Sequence, residues 1–352
     1  MKIAFLLTSL ANSGPIIVAL DLVKVLMEKG HECQVFYFKD KMALDFPCPT
    51  KRLSFFMSSF DFDNFDIIHC HGVRPDLYAM LHKPLRCKTP VCTTIHSFVF
   101  QEHAYKYGPF VSKITGRIIL WATFRDNKIL VLSKHAKNYY ENYLPLKKLT
   151  YAYNTRVCDM SASLTEEEKK EIEAFKQDGD ILLGANCNLN LNKGLDLVIS
   201  ALPFLPPNVK FCMAGKGVSR KEWERLVKSL GLEQRVLFLG SRPAAYRYLP
   251  FYDVYVMPSH SEGFPLSLLE AAAYGKAVVC SDIPIFEEIL TDEEVVRFEL
   301  DNPESIVPAI QKAIENKVLL GQNIKRHFEK EYSPQCFRDR HLKIYQELIG
   351  IV

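Results

Sequence analysis

The sequence predicts an α/β protein made of two Rossmann-like domains that face each other across a cleft. Three observations lead to this prediction: a length of 352 residues, an alternation of short apolar runs with helical patterns, and a polar stretch in mid-chain after which the alternation restarts. A chain of this length is about twice a typical domain. Alternating strands and helices predict right-handed crossovers, and hence a parallel sheet with helices on both faces. Sheets of this kind bind ligands at the carboxyl ends of their strands, which would line the cleft.

The first predicted domain covers residues 1–160 and contains five apolar runs of strand length. These are Lys2–Leu7, Glu32–Phe38, Ile67–His69, Val91–His96 and Lys128–Val131. The first run also resembles the apolar part of a signal peptide. A turn at residues 12–15 and helical spacing over residues 16–27 favour instead a buried strand followed by a helix.

The second predicted domain covers residues 161–334. It opens with an acidic, lysine-rich stretch at 161–177, which is either an exposed helix at the domain junction or a linker. Five further strands are predicted, at Ile181–Ala185, Lys210–Ala214, Arg235–Leu239, Val254–Met257 and Ala277–Cys280. Helices are predicted at Leu195–Leu202, Glu222–Leu230 and Leu266–Tyr274, with a last helix at Ser333–Ile349.

Composition excludes several classes of protein. Hydrophobic residues make up 48% and charged residues 24%, which is typical of a globular chain. The net charge of +3 is too small for dominant nucleic-acid binding, so we expect no nucleic-acid partner. The ten cysteines form no CxxC pair, which argues against zinc ribbons and disulfide frameworks and predicts a reduced, cytoplasmic protein.

The most informative stretch runs from Pro258 to Gly275; it follows a predicted strand and includes the next helix, which Gly275 ends. Backbone amides at Gly263 to Leu266 would open that helix and could bind an anion, and Pro265 suits its first position. Glu270 lies in an otherwise apolar helix, where a buried carboxylate needs partners. The two hydroxyls of a ribose would supply them; the alternative is that Glu270 faces solvent at the edge of the helix.

Three other turns carry candidate residues. Lys193 follows the first strand of the second half, where its ammonium could bind a phosphate, although such a lysine is more often solvated. Ser13 and Gly14 form the turn after the first strand, which could bind an anion or substrate. His96 ends a predicted strand and would point into the cleft; the alternative is a structural histidine.

We predict no metal site and no cofactor. The pattern His69-Cys70-His71 has the look of a metal-binding fragment, but the sequence identifies no further ligand. Two Asp-x-Asp triplets, at 61–63 and 178–180, precede strands, where solvated turn acids are common.

Residues 105–128 mix aromatic and basic side chains, including Tyr105 and Lys106. Within this stretch four apolar residues fall on one helical stripe: Phe110, Ile114, Ile118 and Trp121. Such a stripe usually belongs to a core. The alternative is a partly exposed surface that contacts an anionic membrane.

Together these motifs resemble the retaining glycosyltransferases of family 4, which have the GT-B fold. The resemblance covers essentially the whole chain. Its strongest element is Glu262-Gly263-Phe264-Pro265 followed by Glu270, which matches the E-x7-E signature, and residues 275–279 and 281–284 match its usual continuation. Weaker matches are His69 with His71, Thr94 to His96, Leu132-Ser133, Tyr153-Asn154, Lys193-Gly194 and Gly215 with Gly217.

The resemblance implies transfer of a sugar from a nucleotide-diphosphate donor, a UDP-sugar being favoured, to a glycan or lipid-linked acceptor in cell-surface polysaccharide biosynthesis. The reaction would be metal-independent, with front-face displacement and retention at the anomeric carbon. It would take place in the cytoplasm, with peripheral contact at the inner face of the membrane.

The resemblance also assigns roles to residues. Glu270 would bind the ribose, Glu262 and the segment from Gly263 to Leu266 would hold the donor sugar and diphosphate, and Lys193 would neutralise the leaving phosphates. The catalytic residues would be Lys193 and Glu262 together with His96.

In the first domain, the resemblance implies that His96 faces the sugar and that Ser13 and Gly14 lie by phosphate and acceptor. The last helix, residues 335–352, would cross back to complete this domain.

Two positions depart from the family pattern. Asn188 stands where members usually carry an arginine five residues before the loop lysine, and Ser97 stands where many carry an aspartate. Two alternative functions therefore stay open: a catalytically weak, nucleotide-sugar-binding partner subunit and a nucleotide-sugar epimerase.

Overall fold

The structure is a computed structural model that describes residues 1–351, and of residues 105–107 it describes the backbone but not the side chains. The chain divides into two compact units. One comprises Met1–Arg156 with Tyr332–Val352, and the other comprises Val157–Glu331. Each unit is a parallel α/β structure, as the sequence predicts.

The first unit contains a seven-stranded parallel sheet. Its strands are β1 (Lys2–Leu7), β2 (Glu32–Tyr37), β3 (Thr50–Arg52), β4 (Ile67–His71), β5 (Val91–Thr94), β6 (Lys128–Val131) and β7 (Leu149–Tyr151). Its helices are α1 (Gly14–Glu28), α2 (Val73–His82), α3 (Val99–Tyr107), α4 (Pro109–Ala122) and α5 (Lys134–Tyr140). The strand order is β3-β2-β1-β4-β5-β6-β7, so the direction of winding reverses between β1 and β4.

The second unit repeats this plan with six parallel strands. They are β8 (Ile181–Asn186), β9 (Val209–Ala214), β10 (Val236–Gly240), β11 (Val254–Met257), β12 (Ala277–Ser281) and β13 (Val295–Phe298). The helices are α6 (Glu166–Phe175), α7 (Leu195–Ala201), α8 (Arg220–Ser229), α9 (Leu266–Ala273), α10 (Pro284–Ile289), α11 (Ile306–Glu315) and α12 (Lys317–His327). The order β10-β9-β8-β11-β12-β13 places the reversal between β8 and β11.

The last helix, α13 (Pro334–Ile349), belongs to the first unit. It begins at Ser333, whose hydroxyl accepts a hydrogen bond from the amide of Cys336. The units divide after Arg156 and before Tyr332, slightly upstream of the predicted boundaries at 160 and 334. A buried ion pair accounts for the first boundary. Arg156 lies 2.5 Å from Asp21 of α1, and this pair holds the chain on the first unit as far as Arg156.

Several predicted elements differ from the observed ones. The sequence does not predict the edge strands β3, β7 and β13, because all three are short. Strands β3 and β7 have only three residues each and lack an apolar run, and β13 has four residues. Residues 161–177 contain helix α6 rather than a linker, because Thr165 and Glu168 form a reciprocal capping box. Strand β5 ends at Thr94, so His96 lies beyond the strand to which it was assigned.

The interpretation of the apolar stripe on α4 as core is wrong. All four of its residues, Phe110, Ile114, Ile118 and Trp121, are exposed. Helix α4 instead packs its opposite face closely against α3. A Cβ atom at Gly116 would lie 2.3 Å from the ring of Phe100 on α3, so this position has room only for glycine. The side chains of Tyr105 and Lys106 lie outside the described residues. Among the residues that are described, no helix combines the length and hydropathy needed to cross a membrane.

Besides Asp21, two further carboxyl groups are buried in the first unit. Asp76 on α2 and Asp126 before β6 are each almost inaccessible to solvent. Burial raises the pKa of Asp76 to about 7, although hydrogen bonds from Thr93 and Cys70 partly oppose the shift. Burial, together with the charge of Asp76, raises the pKa of Asp126 well above its usual value. Burial therefore shifts both groups towards the protonated form, compared with an exposed carboxyl.

We predict that Asp126→Asn raises the free energy of unfolding, by about 1–3 kcal/mol at roughly pH 8. The unfolded chain loses the Asp126 proton near pH 4 while the folded chain retains it, so stability falls as pH rises from about 4 towards the raised pKa values. Asparagine removes this penalty, and the gain should disappear below about pH 4. Urea unfolding across pH measures it, with the exposed Asp45→Asn as control. An equal gain at all pH values would contradict the prediction.

Candidate functional site

The reversal of strand order in the second unit brings two loops together at the carboxyl ends of β8 and β11. One loop covers residues 187–194 and the other covers residues 258–265. The amide of His260 donates to the carbonyl of Asn192 at 2.8 Å, and the side-chain amide of Asn192 donates to the carbonyl of Ser261 at 2.7 Å. These bonds join the loops directly, at the position where sheets of this type bind ligands.

Lys193 and Glu262, one from each loop, form a largely buried ion pair. The Nζ atom of Lys193 lies 2.5 Å from Oε1 of Glu262, and the hydroxyl of Ser259 donates to the same oxygen at 2.8 Å. Burial alone would lower the pKa of Lys193, but the Glu262 carboxylate reverses the effect and holds it above its ordinary value. Lys193 is therefore a charged ammonium at physiological pH. The sequence predicts both residues separately, and the structure brings them together.

The close approach of the two loops depends on glycine. Gly194 has a φ of +61°, and a Cβ atom there would lie 2.0 Å from the carbonyl oxygen of Pro258. Gly215, after β9, has the same constraint, with a Cβ position 1.8 Å from the carbonyl oxygen of Cys187. A side chain at Gly194 would push the two loops apart, and one at Gly215 would push the end of β9 away from Cys187. Gly194 is thus required by the same contact that positions Lys193.

The backbone of Ser259 is held by a hydrogen bond from the neighbouring strand β12. The hydroxyl of Ser281, at the end of β12, donates to the carbonyl of Ser259 at 2.6 Å. A small pocket lies between the loops, lined by residues that include Cys187, Lys193, Tyr255, Ser259 and Ser267. Ser259 and Asn192 lie beside the predicted site residues, but sequence reasoning assigned them no role, because their roles depend on contacts with distant segments.

Helix α9 begins next to the ion pair. Pro265 is its N-cap residue rather than its first helical residue, and the helix starts at Leu266. Phe264 and Pro265 are buried, whereas Gly263 and Leu266 are partly exposed. The segment thus has its predicted place at the start of a helix, at the carboxyl end of β11.

Glu270 lies on the partly exposed face of α9, together with Ser267 and Tyr274. The buried face of this helix consists of Leu268, Leu269, Ala271 and Ala272. Glu270 is therefore neither a core residue nor a fully solvated one. Burial raises the pKa of Tyr274 to about 12, and the negative charge of Glu270 contributes to this shift.

Three other cations follow strands of the same sheet and have different surroundings. Arg242 pairs with Glu171 at 2.6 Å, and Arg220 pairs with Glu224 at 2.7 Å. Lys216 and Asn188 are exposed. Lys193 is therefore the buried cation of the two joined loops.

In the first unit, the reversal of strand order lies between β1 and β4. Ser13 is the N-cap residue of α1, and its carbonyl, not its hydroxyl, accepts bonds from the amides of Ile16 and Ile17. Ser13 and Gly14 are exposed after β1, at the same sheet edge at which His71 ends β4. The predicted turn residues thus lie where this sheet would bind a ligand.

His96 is half-buried and lies next to a cluster of buried histidines. Its Nε2 atom lies 2.9 Å from Nδ1 of His71, within hydrogen-bonding distance. His69 lies beside His71, and its two ring nitrogens contact the hydroxyls of Tyr345 on α13, at 2.6 Å, and Thr94, at 2.8 Å. The sequence singled out His96, the His69-Cys70-His71 pattern and the return of the last helix separately, but it did not predict the contact of His96 with His71 or that of His69 with Tyr345.

These histidines are neutral at physiological pH. Burial, with a contribution from His341, lowers the pKa of His96 to about 3, and burial also lowers the pKa of His69 and His71 well below the usual value. Neutral imidazoles donate one hydrogen bond and accept another, so this cluster suits hydroxyl groups better than phosphates. It does not provide a cation.

The residues considered as metal ligands have structural roles. Within the described part of the chain no group of three or more histidine, cysteine or acidic side chains has the arrangement of a metal site. Asp61 accepts a hydrogen bond from the amide of Asp63 at the start of a short 3-10 helix. Asp180 accepts one from the amide of Gln177 and pairs with Lys210. Both triplets are turn acids, as the sequence indicates.

Comparisons with known proteins show which family shares this architecture. Residues 13–155 match the family model described as Glycosyltransferase Family 4, and residues 165–331 match the one described as Glycosyl transferases group 1. The chain is 34% identical to the O-antigen biosynthesis glycosyltransferase WclY of Escherichia coli, over 99% of both chains.

Solved structures show the same fold. Sucrose-phosphate synthase from Thermosynechococcus elongatus superposes with a TM-score of 0.81 at 16% identity and covers 100% of both chains. HepE from Anabaena, in complex with UDP, also gives a TM-score of 0.81 at 16% identity, covering 99% of this chain and 100% of its own. The predicted GT-B fold class is thereby confirmed.

We predict that Gly194→Ala destabilises the second unit more than Gly231→Ala does. Both glycines have a left-handed φ, +61° and +65°, but a Cβ atom at Gly231 meets no atom within 4 Å. Gly231→Ala should cost about 1–2 kcal/mol from backbone conformation alone, and Gly194→Ala should add the cost of moving the Pro258 carbonyl. Chemical denaturation measures both. Equal losses would mean that the two loops do not constrain each other.

Proposed function

Since this chain belongs to the glycosyltransferases, with a family 4 N-terminal half and a group 1 C-terminal half, we propose that it transfers a sugar from a UDP-sugar to a glycan or lipid-linked acceptor in O-antigen or related polysaccharide biosynthesis. The observation that carries the proposal is the buried Lys193–Glu262 pair at the strand-order reversal of the second unit. The relative WclY, by its name, acts in O-antigen biosynthesis, and the HepE structure contains UDP.

The donor diphosphate would bind at the two joined loops. Lys193 is charged, and an ammonium has three N–H donors, so its bond to Glu262 is compatible with further bonds to phosphate oxygens. The start of α9 adds backbone dipoles that favour an anion beside it. Glu262, fixed by Lys193 and Ser259, would direct its other oxygen to hydroxyls of the donor sugar. Glu270 would accept hydrogen bonds from the two ribose hydroxyls.

The first unit would contribute groups for the sugar and the acceptor. A neutral His96 can hydrogen bond to a sugar hydroxyl without attracting the phosphates, and His71 would hold its ring orientation. Ser13 and Gly14, exposed at the start of α1, would contact phosphate or acceptor.

We further propose front-face displacement with retention. The acceptor oxygen would form a bond to the anomeric carbon while the bond from that carbon to the phosphate oxygen breaks. The acceptor hydroxyl proton would pass to the departing phosphate oxygen, giving UDP. Lys193 and the start of α9 would stabilise the charge that develops on this oxygen, and such preorganised groups are effective where water is excluded. The ten free cysteines support a reducing, cytoplasmic location.

The function is tested with a panel of nucleotide sugars, with and without oligosaccharide and lipid-linked acceptors, in buffer containing EDTA. We expect acceptor-dependent release of UDP in EDTA and an α-linked product from an α-linked donor. A new nucleotide sugar formed without acceptor would favour the epimerase. UDP binding without turnover of any donor would favour the partner subunit, and activity that requires manganese would contradict metal independence.

We predict that UDP raises the melting temperature of the protein and that Glu270→Ala largely removes this effect. Loss of a charged hydrogen-bond partner should weaken UDP binding by about 1.5–3 kcal/mol. Calorimetric titration with UDP measures the difference, and Glu233→Ala, at an exposed position of the same unit, is the control. Wild-type affinity in Glu270→Ala would exclude the ribose role.

We also predict that Lys193→Met lowers turnover by on the order of 100- to 1000-fold while the protein remains folded. Lys216→Met, which removes an exposed lysine after β9, should have little effect. Asn188→Arg should leave turnover equal or raise it, because it restores a second cation near the proposed diphosphate site. Near wild-type turnover in Lys193→Met would mean that another cation takes the phosphates.

A further inference from the structure

The first unit contains a pocket that the proposed function does not use. It lies between α4, the end of α5 and the segments that lead into β6 and β7, and we name it the α4–α5 pocket. Its volume is about 500 Å³, which is within the range typical of small-molecule sites. Its walls include Arg117, Trp121, Phe124, Asn142, Tyr143 and Lys148.

The position of the pocket separates it from the candidate groups of the first unit. Phe124 precedes β6 and Lys148 precedes β7, so both lie at the amino ends of these strands. Ser13 and His71 lie at the carboxyl ends of β1 and β4. Because the strands are parallel, their amino and carboxyl ends form opposite edges of the sheet. The α4–α5 pocket therefore does not belong to the site described above.

Three aromatic rings of the pocket are presented to solvent. Phe124 is 70% exposed, Trp121 is 59% exposed and Tyr143 is 49% exposed. Two of them are held in place. The ring of Phe100 lies 4.6 Å from that of Tyr143, and the ammonium of Lys148 lies 5.8 Å from the centre of the Phe124 ring and donates to the Phe124 carbonyl at 2.8 Å. Exposed rings grouped in a concave surface are typical of a binding site.

The charge at the pocket is positive. Arg117 and Lys148 line it, and none of the described residues that line it is acidic. Of the acidic residues that flank these segments in the sequence, Glu141 pairs with Lys137 at 3.4 Å, and Asp126 is buried, which raises its pKa. A guanidinium such as that of Arg117 can bind a carboxylate through two parallel hydrogen bonds. The pocket therefore favours an anion.

Asn142 adds an acceptor for a hydroxyl group. Its side-chain nitrogen donates to the carbonyls of Asn138 and Tyr139, at 3.4 and 3.2 Å, so its side-chain oxygen is the atom suited to accept a hydrogen bond from a ligand. A fatty acid has no hydroxyl to donate, whereas a sugar ring has several. A sugar ring also has a face of C–H groups, which can pack on the negative face of an aromatic ring.

We propose that the α4–α5 pocket binds an acidic sugar, a pyranose that carries a carboxylate, within an oligosaccharide. The sugar ring would pack on Trp121, its carboxylate would pair with Arg117, and one of its hydroxyls would donate to Asn142. A hydrocarbon anion would use the rings and the cations but not the amide. The proposal does not depend on the proposed transferase activity, because binding here requires no donor.

Trp121 provides a direct test, because the chain contains two tryptophans and the other, Trp223, is buried in the second unit. The full chain is titrated, without donor, with trimers of galacturonate, mannuronate and guluronate, with the methyl esters of these trimers, and with dodecanoate below its micelle concentration. We expect a saturable change of Trp121 fluorescence with at least one uronate trimer and roughly tenfold or more weaker binding of its methyl ester. Trp121→Phe should remove the fluorescence change, while calorimetry should still detect binding.

Matched variants assign the contacts. Arg117→Gln should weaken binding of the uronate trimer roughly tenfold or more and leave binding of its methyl ester unchanged. Lys113→Gln removes an exposed cation of α4 that does not line the pocket, and it should change neither. Trp121→Ala should weaken binding of both ligands, whereas Phe110→Ala, which removes an exposed ring of α4 outside the pocket, should weaken neither. Thermal unfolding checks that each variant is folded.

Three results would overturn the proposal. If no uronate trimer bound, or if uronate and methyl ester bound equally well, the pocket would not be a site for acidic sugars. Tighter binding of dodecanoate, in competition with the uronate trimer, would assign the pocket to hydrocarbon anions. Uronate binding that survives both Arg117→Gln and Trp121→Ala would place the sugar elsewhere on the chain.

Discussion

The candidate site depends on the ion pair between Lys193 and Glu262. A charge buried in a protein is costly unless it is paired and hydrogen bonded, so each residue makes the position of the other tolerable. The pair also joins two loops that are distant in sequence, and Ser259 fixes the carboxylate further. The loops can approach this closely because Gly194 lies against the carbonyl of Pro258 without a side chain between them. The ion pair therefore depends both on the glycine at position 194 and on the strand order that brings the two loops together.

At their strand-order reversals the two units present groups of different electrostatic character. In the second unit the reversal between β8 and β11 holds a charged lysine and glutamate. In the first unit the reversal between β1 and β4 lies beside histidines whose pKa values are lowered by burial, so that they remain neutral. A nucleotide sugar has both kinds of group: a diphosphate that needs fixed positive charge, and hydroxyls that need neutral donors and acceptors.

The first unit also has features that lower its own stability. It buries the carboxyls of Asp76 and Asp126, and it exposes the apolar stripe of α4 instead of packing it. In compensation, α13 returns from the end of the chain and contributes Tyr345 to the histidine cluster, and the Arg156–Asp21 pair holds the point at which the chain leaves. Natural proteins tolerate such local costs at sites where surface or charge has a function.

The sequence by itself determined the two α/β halves, ten of the strands, and the positions of Lys193, Glu262 and Glu270. This was possible because apolar periodicity and turn residues act over short distances. Tertiary structure alone decided that Lys193 meets Glu262, that His71 contacts His96, and that Ser259 completes the first pair, since these contacts join segments whose separation is set by strand order. Tertiary structure also decided which face of α4 is buried. A stripe of Phe110, Ile114, Ile118 and Trp121 has the same period whether it faces core or solvent, and only the fit of Gly116 against Phe100 selected which face was buried.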